Sequence, residues 1–119
     1  MGLLDSLRRG KGPDFSVVDS PDKARLLEGE GVLEKMYLMP LAFGGSERQD
    51  NWVWVPRGIA ALKDETDAMV ADLARQGEIT GYSADLEYRK SSPGIIPRQV
   101  VIRGRKNGVE RFTQTINIW

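Results

Sequence analysis

The residues able to do chemistry in this chain are few, and their spacing narrows them further. Neither cysteine nor histidine occurs among its 119 residues. That removes a thiolate nucleophile, a disulfide framework, a Ser-His-Asp triad, and the thiolate and imidazole metal ligands. Carboxylates remain. Asp64, Glu65 and Asp67 fall within about one helical turn and offer oxygens to a hard cation, although the same spacing suits a solvated helix face. No pair of acids is selected for hydrolytic work. Gly29-Glu30-Gly31 follows no strand, lacks a third glycine and puts an acid where a phosphate would sit. Gly44-Gly45-Ser46 has the backbone freedom of an anion nest but neither the lysine nor the following helix of a P-loop, so it reads as a turn. These patterns predict a non-enzymatic chain with no cofactor and no metal.

Binding chemistry is better represented. Trp52 and Trp54 alternate with Val53 and Val55, so a strand here is apolar on both faces. If the valines meet a covering helix, the tryptophans lie on an open face, where such side chains anchor partners. The alternative is that both tryptophans are core. Further on, Arg89, Lys90, Arg98, Arg103, Arg105, Lys106 and Arg111 stand against the single acid Glu110. Such a patch suits an acidic partner or a nucleic-acid backbone, or simply protects an edge hairpin from aggregation. Tyr88 and Phe112 flank it, without an RNA-binding aromatic signature. The candidate partner-binding residues are therefore Trp52, Trp54, Arg103, Arg105 and Arg111. Over the whole chain 17 basic residues balance 17 acidic ones, which argues against a general polyanion binder.

The elements that must position these residues follow from periodicity and punctuation. Ser20-Pro21-Asp22 is a helix start, with Ser as N-cap and Pro at the first position, and Gly29 and Gly31 end it. Strands are predicted over 32–39 and 51–55, each stopped by a proline, with a loop between them. A long helix spans 57–76. Its apolar stripe is Ile59, Leu62, Met69, Val70 and Leu73 with Thr66, and Asp64, Glu65, Asp67, Asp72 and Arg75 lie mostly off it. Three more strands are predicted over 79–88, 99–105 and 109–118, the last two joined by the hairpin signal Asn107-Gly108. Alternation puts Phe112, Ile116 and Ile118 on one side of the last strand and Arg111, Thr113, Thr115 and Asn117 on the other. The expected fold is α+β: a mainly antiparallel sheet of about five strands with one long helix packed on one face.

At 40% hydrophobic residues the chain can build one core, assigned to residues 20–119. Residues 1–19 are a separate segment, flexible or a short amphipathic helix through Leu3, Leu4 and Leu7. Gly2 with Ser6 fits the loose N-myristoylation pattern. No apolar run approaches the roughly 20 residues of a membrane span, and the start lacks a secretory signal, so a cytoplasmic chain is expected.

Met36-Tyr37-Leu38-Met39-Pro40-Leu41-Ala42-Phe43-Gly44-Gly45-Ser46, then Asn51, Trp54-Val55-Pro56 and the closing Ile116-Asn117-Ile118-Trp119, carry a resemblance. Over about residues 36–119 the chain resembles a group of small uncharacterised bacterial proteins, some similar to immunity proteins of toxin–immunity loci. The first 35 residues are unmatched, and Ala42 departs from an often acidic position. The shared motifs are structural and transfer no catalytic residue. The resemblance implies a cytoplasmic protein that acts by binding another protein, as in neutralising a toxin. Two other functions fit the residues: weak single-stranded nucleic-acid binding through the basic C-terminal hairpin, and self-association as a structural domain.

Overall fold

A computed structural model describes residues 14–119, so Leu3, Leu4 and Leu7 and the Gly2–Ser6 pattern lie outside the described residues. Asp14 caps a short turn, Phe15–Val17, and Phe15 and Val18 are buried in the same core as later elements. The packed unit thus already includes Phe15, ahead of the boundary expected at residue 20. Helix α1 (Pro21–Gly29) starts as its sequence predicts: the Ser20 hydroxyl accepts the Lys23 N–H at 3.3 Å and Pro21 sits in the first turn. Ala24 and Leu27 are its buried positions. Strands β1 (Leu33–Tyr37) and β2 (Trp52–Pro56) pair antiparallel, with Lys35 opposite Trp54 and Met36 opposite Val53. Helix α2 (Ile59–Arg75) follows, and then β3 (Gly81–Glu87), β4 (Gln99–Lys106) and β5 (Val109–Asn117).

The five strands among the described residues are antiparallel, but they form two sheets rather than the one expected: β1-β2 and β3-β4-β5. Only α2 separates β2 from β3 in the chain, and its side chains pack on both sheets, so the core is shared without the strands merging. Glu34 of β1 helps hold α2 in place. Its carboxylate accepts the N–H groups of Gly58 and Ala60 at 2.8 and 3.2 Å, satisfying free donors at the helix start. Gly77, at φ 77°, closes the far end while the Glu78 N–H bonds the Leu73 carbonyl at 2.9 Å. No helix among the described residues is long and apolar enough to cross a membrane.

The buried face of α2 differs from the expected stripe. Thr66 and Val70 are buried, with Ile59 and Leu73 partly so, as read. Leu62 and Met69, however, are 47% and 46% exposed, and Lys63 and Asp67 occupy the interior in their place, 1% and 6% exposed. The pattern misplaced Asp67 because it scored each charge as solvent-seeking, whereas this one meets a partner one helical turn away.

Candidate functional site

Three places in the fold gather side chains with chemistry. The first is interior. Lys63 Nζ donates to Asp67 Oδ2 at 2.7 Å, to the Tyr82 hydroxyl at 2.7 Å and to the Leu38 carbonyl at 3.0 Å. The Tyr82 hydroxyl in turn donates to Asp67 Oδ1 at 2.6 Å. The ammonium therefore has three acceptors and the carboxylate two donors, which is what lets an ion pair survive burial. The cluster ties the end of β1, one face of α2 and the start of β3 together. Burial lowers the Lys63 ammonium below its usual value, opposed by the adjacent Asp67 carboxylate. Burial, then the bond to Asp67, pushes the Tyr82 phenol well above 10. Any cation site built from Asp64, Glu65 and Asp67 loses its third member to this cluster, and no metal-ligating group of three forms among the described residues.

A pH consequence follows from Tyr82. Its folded-state value is raised, so the stability it contributes is complete below pH 10 and is lost as the unfolded chain's phenol ionises above that value. In folded protein at about pH 11 it should still be a phenol. Tyr82→Phe should therefore leave the phenolate absorbance at that pH unchanged, with folding checked by circular dichroism. A clear loss of amplitude would show that Tyr82 ionises with the rest.

The second place holds the tryptophans. Trp52, Trp54, Lys35 and Leu33 share one face of the β1-β2 sheet, while Glu34, Met36, Val53 and Val55 face α2. That first face is not open. Helix α1 lies on it: the Trp54 indole N–H donates to Glu28 Oε1 at 3.2 Å, and the Arg25 guanidinium stands 6.0 Å from the ring. Trp54 is 6% exposed, and Trp52 packs edge-on against it at 4.8 Å with Lys35 Nζ 4.6 Å above its own ring. The cover expected from a foreign partner is supplied by the chain's own first helix. Trp54 therefore belongs to the interior, and Trp52 is only partly exposed.

The third place is the three-stranded sheet. The Asn107-Gly108 turn forms as expected, both residues at positive φ, with Lys106 opposite Val109. The register then shifts between Gly104 and Arg105, which leaves Arg111 with no cross-strand partner. Arg103 is not free: it donates to Asp85 Oδ2 at 2.8 Å and lies 3.2 Å from Glu110 Oε1. Arg105 donates to the Ser83 hydroxyl at 3.1 Å. A window count of the hairpin overstated its field because Asp85, eighteen residues from Arg103 in sequence, is its neighbour across the sheet. Arg111 is exposed and forms no ion pair among the described residues.

No family model, curated protein or solved structure matches this chain.

Sequence reasoning missed the Lys63–Asp67–Tyr82 cluster and the outer side of β5. Among the described residues, strand β5 is the longest of the five strands and pairs on one side only. Beside it runs a groove lined by Leu62, Glu65, Thr66 and Met69 of α2 and by Gln114 to Asn117 of β5. From Phe112 to Asn117 this edge carries no charge, whereas β3, at the opposite edge, carries Asp85 and Glu87. No signal in the sequence pointed here, because Leu62 and Met69 fit the same apolar stripe as Val70 and Leu73, and only the inward turn of Lys63 and Asp67 exposes them.

Proposed function

We propose that this chain is a non-enzymatic, cytoplasmic protein-binding domain of bacterial immunity type, whose partner is a toxin docked along β5. The observation that supports this reading is the uncharged, unpaired edge of β5 beside the exposed Leu62 and Met69. A bare edge of this kind presents backbone N–H and C=O groups to an incoming strand, and natural sheets usually blunt it with charge. The neighbouring apolar pair supplies pockets for alternate side chains of the added strand. Arg111 and Arg105 lie towards the hairpin end and set orientation and approach rate. A stable complex would bury on the order of 800 Å² on this side.

The test compares affinity capture from the host's own lysate with wild-type protein and with Met69→Glu plus Thr115→Lys. Both substituted positions are exposed, so folding should be retained. A protein held by the wild type and weakened at least about tenfold by the double variant supports the reading. A captured protein indifferent to both changes, or no protein across repeated captures, counts against it. Light scattering on the purified chain separates the alternative, in which a second copy occupies the edge.

A further inference from the structure

Away from that edge, at the far end of β3, Glu87, Tyr88, Arg89, Lys90 and Arg98 line an open groove. Arg89, Lys90 and Arg98 are all exposed, and none forms an ion pair among the described residues. The one acid in the wall, Glu87, is already hydrogen-bonded by the Gln99 side-chain amide. Asp14, which Arg89 influences through space, has its carboxylate bonded by the Ser16 N–H and hydroxyl at 3.0 and 2.6 Å. The Arg89 guanidinium is fixed by stacking 4.1 Å from the Trp119 ring. Tyr88 is 49% exposed beside these cations. Three unpaired cations in one groove attract an anion, and an aromatic side chain among them adds a flat surface that a simple anion would not use.

We propose that this groove binds a nucleotide unit, its phosphate on Arg89, Lys90 and Arg98 and its base against Tyr88. The proposal is independent of the reading of β5. It differs from hairpin binding because three unpaired cations line one groove here, while in the hairpin Arg103 is neutralised by Asp85 and Glu110. Phosphate contacts of this type give salt-dependent affinity, and base stacking on a tyrosine adds a sequence-tolerant contribution.

The experiment is fluorescence anisotropy of a labelled oligothymidylate on the full chain, with adenosine monophosphate, inorganic phosphate and polyglutamate as competitors. A single phosphate held by the three cations predicts a fall in affinity of about threefold between roughly 50 and 200 mM salt. Arg89→Glu plus Arg98→Glu should abolish binding, and Tyr88→Ala should weaken it about tenfold. Lys90→Glu, on an exposed side chain, provides a second reading should the double variant fold poorly. Full competition by the mononucleotide would identify a free nucleotide as sufficient, and competition only by the oligomer would identify a strand; both support the proposal. Polyglutamate competing as well as the oligomer, or indifference to Tyr88→Ala, would overturn it in favour of an acidic peptide. Absence of binding at low salt would overturn it outright.

Discussion

Asp67→Ala is expected to lower the unfolding free energy by about 3–5 kcal/mol, because it strands a buried ammonium. Lys63, at 1% exposure, would keep only the Leu38 carbonyl and the Tyr82 hydroxyl. Domains of this size hold about 5–15 kcal/mol in total, so the variant should show a marked fall in urea midpoint. The companion variant Lys63→Met, Asp67→Leu, Tyr82→Phe removes every side chain of the cluster at once and leaves only the Leu38 carbonyl. It should recover to within about 1 kcal/mol of the wild type or exceed it, since apolar replacement of a buried pair is commonly neutral or stabilising. The contrast separates a pair that stabilises the fold from one that merely has to be matched. Were Asp67→Ala to cost less than about 1 kcal/mol, the ammonium would be reaching water and the cluster would not be closed.

Gly45→Ala should be nearly as damaging, at about 3 kcal/mol by the same urea measurement. A Cβ at Gly45 would collide with the Met39 carbonyl oxygen and crowd Asn51 Nδ2 at 2.9 Å. Neither is free to retreat. The Asn51 side chain accepts the Met39 N–H at 2.9 Å and donates to the carbonyls of Met39 and Ser46 at 2.9 and 2.7 Å. It thus clamps the start of the loop against the end of that loop, just where Leu38 enters the Lys63 cluster. Gly44 provides the control. It holds φ 91° but has open space where its Cβ would go, so Gly44→Ala should cost only about 1–2 kcal/mol from backbone strain. Equal costs at the two positions would mean that the loop shifts to relieve the close approach at Gly45.

The local features of this protein were set by the sequence itself. Ser20-Pro21 starts α1, Pro56 closes β2, Gly77 ends α2, and Asn107-Gly108 turns the hairpin, each through backbone preferences that act over a few residues, whereas β1 stops at Tyr37, short of Pro40. Strand alternation likewise put Ile116 inward and Thr113 and Thr115 outward, as found. The tertiary structure decided what depends on partners distant in the chain. It divided the strands into two sheets and laid α1 over Trp54, and it turned α2 so that Lys63 and Asp67 face inward towards Tyr82. It neutralised Arg103 with Asp85 of the adjacent strand and Glu110, and gathered the unpaired Arg89, Lys90 and Arg98 along one groove. In each case the sequence carried the residue's chemistry, but burial and charge pairing are properties of neighbours, and those neighbours meet only when the chain is folded.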